Sequence, residues 1–178
     1  NHAAKIVFDA KTNEGFIADG YGNHRVVVID ADTGAFKRMW GAYGKPPTDE
    51  REETDGMYPL NAPPKQLNTV HCIMRSNDDL LYVCDLQNNR VQVFTLDGKF
   101  VKEAFIYRDT KSTFGTSFSL AFSADKDQRF LYMLDGRSEK VPSRAANWSP
   151  TGVPESVRAR AKMPSNEPSC PRLVHATK

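Results

Sequence analysis

Three aspartates recur in one setting, and their spacing defines the first chemistry the sequence offers. Each closes a strand-like run and is followed by Asn or Ser and then by a cation that opens the next run: Asp19-x-x-x-Asn23-x-Arg25-Val26, Asp85-x-x-Asn88-x-Arg90-Val91 and Asp135-x-x-Ser138-x-Lys140-Val141. A carboxylate placed so can accept from turn N–H groups or pair with the cation, while Asn or Ser bonds its own backbone. These aspartates are therefore expected to fix turns. Among the histidines, His71 heads the run Val70-His71-Cys72-Ile73, and His175 stands in the similar Leu173-Val174-His175-Ala176. His24 lies in a turn, where exposure is expected, and Tyr21 lies in the same turn, where an aromatic ring commonly packs over a neighbour. Ser/His/Asp and Cys/His constellations, phosphate-cradling glycine loops and paired CxxC motifs do not occur. Cys72, Cys84 and Cys170 are too few and too widely spaced for a disulfide framework or a four-thiolate zinc site. Cys72 and Cys84 are expected to be small buried hydrophobes.

The elements that would position these residues come in three similar units. The first runs Lys5–Asp9, Gly15–Asp19 and Arg25–Ile29; the second His71–Met74, Leu80–Asp85 and Arg90–Phe94; the third Leu120–Phe122, Phe130–Asp135 and Lys140-Val141. β-Branched and aromatic residues dominate each run, as a pleated strand favours. Asp97-Gly98 marks a hairpin before Lys99–Glu103, and Thr33-Gly34 a longer turn before Ala35–Trp40. Four antiparallel strands per unit, repeated about an axis, is the plan of a β-propeller. The fold class expected is all-β, with residues 1–141 as an open arc of about three blades. Residues 45–68, polar, acidic and Pro-rich, separate the first two units and are expected to form a solvated rim loop.

The Asp-x-x-Asn-x-Arg-Val turn resembles the NHL repeat. Within that family, Ala18-Asp19-Gly20-Tyr21-Gly22-Asn23-His24-Arg25-Val26-Val27 and Val70-His71-Cys72-Ile73 with Val83–Phe94 are most similar to segments of peptidyl-α-hydroxyglycine α-amidating lyase. The resemblance covers roughly residues 5–141 and implies blades of a six-bladed ring. It implies Tyr21 as a catalytic tyrosine and His71 as a zinc ligand, with His175 as a further candidate ligand. The chemistry implied is release of glyoxylate from a peptidyl-hydroxyglycine, with zinc polarising the substrate hydroxyl and a base removing its proton. Such a site needs three neutral ligands and one open position. The sequence departs from the lyase at Gly22, where the family has a disulfide-bonded cysteine, and at Ala176, where it has a calcium-binding Asp. The units place Ala4 and Phe118 at positions equivalent to His71.

After Val141 the character changes. Residues 142–178 hold six of the eleven prolines, and six Lys or Arg against two Glu. Pro142 falls where the third unit would continue as a strand and removes a ladder donor. The tail is expected to be irregular: a linker, a loose terminus, or a stretch translated out of the family's frame.

Composition bounds the rest. The chain has 178 residues, of which 39% are hydrophobic and 26% charged, with 24 Lys plus Arg against 22 Asp plus Glu. That suits one globular core. Near-neutral charge argues against nucleic-acid binding, and no run approaches the roughly 18 apolar residues of a membrane span. Asn1-His2 begins no recognisable leader, and a secreted or periplasmic setting is implied only by the resemblance. Closed propellers need roughly four to eight blades, so three units imply a fragment, self-association through open blade faces, or faces covered by the tail. The leading expectation is a scaffold binding a protein, peptide or small molecule at its rim or central channel. The zinc-dependent lyase is the alternative. A calcium-dependent lactonase-type propeller is the third, for which the sequence has no distinctive acidic cluster.

Overall fold

A computed structural model describes residues 2–48, 63–106 and 115–135, together with the backbone of 172–177. Among these residues the chain is nearly all β, in three sheets. The first comprises β1 (Lys5–Asp9), β2 (Glu14–Asp19), β3 (Arg25–Asp30) and β4 (Phe36–Trp40), antiparallel in chain order. A single 3-10 turn, Ala42–Gly44, follows it. The second sheet repeats the meander with β5 (Val70–Arg75), β6 (Leu80–Asp85), β7 (Arg90–Thr95) and β8 (Phe100–Phe105). In the third, β9 (Ser119–Phe122) and β10 (Phe130–Asp135) are antiparallel, and β11 (Arg172–Thr177) lies parallel to β10 on its other side. Lys140-Val141, the third unit's expected next strand, and residues 142–171 of the tail fall outside the described residues. The tail's one described segment, β11, is a strand.

Burial follows from the alternation of side chains across a pleat. In β3, Val26 and Val28 are fully buried while Val27 and Ile29 are half-buried. The second sheet differs: β6 and β7 bury nearly every residue. A strand covered on both faces reads as a continuous apolar run, and Leu80–Cys84 is one. Phe16, Ala18, Val26 and Val28 of the first sheet close on Ile73, Leu81, Val83 and Phe94 of the second, with Trp40 and Leu67 joining them. On the opposite side Tyr82, Val91 and Val93 close on Leu120, Leu131 and Met133 of the third. Burying a ring such as Phe94 contributes about 2–3 kcal/mol.

The turns are specified locally. Gly98, at φ +90°, lies under the Trp40 indole, where a Cβ would come within 2.7 Å of the ring. Only glycine fits both the backbone and that close approach. The ends of the 45–68 connection are not simply solvated: Pro64 and Leu67 are buried, and Leu67 belongs to the first core. Residues 49–62, its acidic middle, lie outside the described residues.

One sequence expectation is corrected outright. Cys72 and Cys84 are buried but not free; they form a disulfide across β5 and β6. The hairpin register sets the two directly opposite, with Cα atoms 4.8 Å apart. That is within the usual range for a bridge. A separation of 12 in sequence conceals a contact that an antiparallel pair makes unavoidable.

Candidate functional site

The recurrent Asp turn builds the ground on which the site stands. Asp19, at the end of β2, accepts from Asn23 Nδ2 at 2.9 Å and from Arg25 Nε at 2.8 Å. Asp85, at the end of β6, accepts from Asn88 Nδ2 at 2.7 Å, Arg90 Nε at 2.6 Å and the Asn68 backbone N–H at 2.6 Å. The expected turn-fixing role is met in both. Burial pushes the Asp85 carboxyl up. Three donors, one a guanidinium, nevertheless face it, and we assign it as the carboxylate of a buried ion pair.

These turns hold β2 and the head of β5 together. Gly20 sits so close to Val70 that a Cβ would come within 2.0 Å of the Val70 nitrogen. The close approach brings Tyr21 beside His71, ring centroids 5.7 Å apart and edge to face. A backbone bridge between Tyr21 and His2 fastens the other side of the turn. His71 itself falls at a break in register between Val70 and Cys72, the kind of irregularity that re-aims a side chain. Its ring packs on Phe118, centroids 4.3 Å apart. Tyr21 and Phe118 remain 46% and 39% exposed. The structure thus gathers a residue of the β2–β3 turn, one of β5 and one just before β9 into one accessible aromatic cluster.

His71 Nδ1 lies 2.7 Å from the Phe118 carbonyl oxygen. A carbonyl only accepts, so Nδ1 donates, and in the neutral ring the lone pair resides on Nε2. A carbonyl holding one ring nitrogen so as to present the other is how many ligating or proton-handling histidines are oriented. His24 repeats the arrangement, its Nδ1 2.7 Å from the Leu67 carbonyl, and is half-buried rather than exposed.

His175 lies on β11 opposite Met133 of β10. β9, not β11, is the strand of that sheet packed against β5, so β9 and β10 separate the two histidine-bearing strands. No group of three His, Cys, Asp or Glu suited to a metal ion occurs among the described residues. Among the described residues, His71 alone therefore does not constitute the three-ligand zinc site that the resemblance implies, nor do those residues hold an acidic cluster for calcium.

Two features escape sequence reasoning. In the sequence Phe118 stands out only as the third unit's equivalent of His71. The equivalent positions of the second and third units, His71 and Phe118, lie side by side, and that recurrence is the signal that finds it. The second is the fully buried Arg90, which also donates to Tyr43 Oη, Glu103 and the carbonyls of Pro64 and Gln66. It ties Tyr43, just before the 45–68 connection, and Pro64 and Gln66, at that connection's far end, to the middle sheet. The repeated cation hinted at the ion pair but not at these further partners.

No family model matches the chain, and no curated protein does. Among solved structures, a Bacteroides fragilis protein assigned only as exported is 14% identical, with a TM-score of 0.44. The similarity covers 76% of this chain and 35% of that one, so the chain spans about a third of that protein's length.

Proposed function

We propose that the chain is a segment of an NHL-type β-propeller that binds a peptide or small ligand at its inner edge. The observation carrying this reading is the accessible Tyr21–His71–Phe118 cluster. The first sheet contributes from its β2–β3 turn, the second from β5 and the third from the residue just before β9, and β5 packs against β1 and β2 on one side and β9 on the other. Successive sheets meeting along their first strands are what radial repetition requires. Exposed rings beside an oriented imidazole offer stacking together with a single polar contact, a combination common to ligand sites. The setting proposed is secreted or periplasmic. The Cys72–Cys84 disulfide supports it, because such bonds persist in oxidising compartments.

A displayed-peptide library selected on the intact chain tests the binding role. Peptides selected on the wild type are expected to lose at least tenfold in affinity for both Tyr21→Ala and His71→Ala. Unchanged affinity for both variants would defeat the reading. The zinc-dependent lyase remains distinguishable by metal analysis of the same proteins. Its signature would be one zinc per chain, absent from His71→Ala, with turnover of a peptidyl-hydroxyglycine lost in Tyr21→Phe. The aromatic cluster supplies one suitably oriented ligand, His71, so we expect substoichiometric zinc.

A further inference from the structure

The first sheet has a second face, and it is apolar across all four strands. One row runs through paired positions Ile6, Ile17, Val27 and Met39. The next runs Phe8, Gly15, Ile29 and Phe36. The Phe8 ring lies over Gly15, whose missing Cβ would come within 3.0 Å of both Phe8 and Ile29. Phe8 and Phe36 are 59% and 63% exposed, and Ile6 and Met39 exceed 40%. No charged side chain interrupts either row. A contiguous apolar face spanning four strands is well beyond scattered surface hydrophobes and marks an interaction surface.

The repeat states what kind of surface covers such a face. Two residues before the turn Asp stand Ile17, Val83 and Met133; three before it stand Phe16, Tyr82 and Tyr132. Val83, of the first kind, faces the first sheet, where it meets Phe16, of the second kind. Met133, of the first kind, faces the second sheet, where it meets Tyr82. Both sheet-to-sheet contacts therefore join one kind of face to the other, always in the same order. Among the described residues two faces have no partner: the Ile17 kind on the first sheet, and the Tyr132 kind on the third, where Tyr132 and Leu134 are half-buried. Among the described residues, the chain carries both halves of its own interface with no partner on either.

We propose that the outer face of the first sheet docks a second copy of this chain through the far face of that copy's third sheet. The contact is heterologous, joining head to tail, and continues the packing that already joins the sheets within one chain. It does not depend on any ligand at the Tyr21–His71–Phe118 cluster.

Sedimentation equilibrium of the full chain tests it, using Phe36→Lys to spoil the first-sheet face and Tyr132→Lys to spoil the third-sheet face. The wild type is expected to associate with concentration, and each variant to weaken association at least tenfold while keeping its far-ultraviolet circular dichroism. Mixing the two variants should restore a heterodimer, because each retains the face the other lacks. Phe8→Lys, on the same face as Phe36 but a different strand, should reproduce the Phe36→Lys result if that variant folds poorly. A wild type that stays monomeric overturns the proposal. So does association indifferent to Phe36→Lys and Phe8→Lys, or a mixture that remains monomeric.

Discussion

Glu14 shows how much a single buried charge can weigh in this chain. Its side chain is 6% exposed, Arg38 grips both carboxylate oxygens at 2.6 Å, and Lys37 adds a contact at 2.7 Å. The bidentate Arg38 bond, opposed by burial and reinforced by Lys37, brings its pKa from the ordinary 4.5 to about 2. Between those values the unfolded chain takes up a proton that the folded chain refuses. Stability from this residue is complete above pH 4.5 and is lost as pH falls toward 2, about 2–3 kcal/mol in all. Urea midpoints compared at pH 6 and pH 3 should show a fall that Glu14→Gln largely removes. A slope unchanged in Glu14→Gln would assign the acid sensitivity elsewhere. None of this was legible beforehand, because Glu14 and Arg38 belong to strands separated by one between them. The Asp19 and Asp85 turns were legible, since their side-chain donors lie within six residues. Locality in sequence is what divides the two cases.

At the scale of strands, the hairpin of β5 and β6 carries both the site histidine and the disulfide. His71 precedes Cys72, and Asp85, which anchors the loop before β5 through the Asn68 N–H, follows Cys84. The bridge thus locks the strand that presents His71 to the strand whose end pins its entry loop. Closing a loop of this size contributes about 2–3 kcal/mol, chiefly by restricting the unfolded chain. The double variant Cys72→Ala/Cys84→Ala is expected to lose about that much by urea unfolding, and so is the reduced wild type. Equal stability of the oxidised and reduced chains would show the bridge to be incidental. Strand order was readable here from the alternating runs and the Asp97-Gly98 turn, whereas pairing register was not. Register decides which side chains stand opposite one another, so the bridge stayed hidden while both cysteines were correctly placed in the interior.

Across the whole molecule, the three sheets are not equivalent in what covers them. Among the described residues, the second has a core on each face, whereas the first and third each share a single core with it. In a stacked array, stability is approximately the sum of each unit and its contacts with neighbours. The middle sheet should therefore open at the highest free energy and the third at a lower one. Amide hydrogen exchange under dilute, monomeric conditions is expected to be slowest in β6 and β7 and faster in β9 and β10. Phe94→Ala empties a fully buried position between the first and second sheets and should cost about 3–5 kcal/mol across the molecule. Met133→Ala, which empties the interface of the second sheet with the third, should loosen β9 and β10 by a similar amount while leaving β6 and β7 nearer their original protection. Uniform loss in both variants would mean that the sheets unfold as one unit. The two faces argued to be unpartnered would then be less costly to leave open than stacking implies, because cooperativity would come from the connections between sheets. Arg90, holding Tyr43 and the far end of the first such connection to the middle sheet, is the residue best placed to supply it.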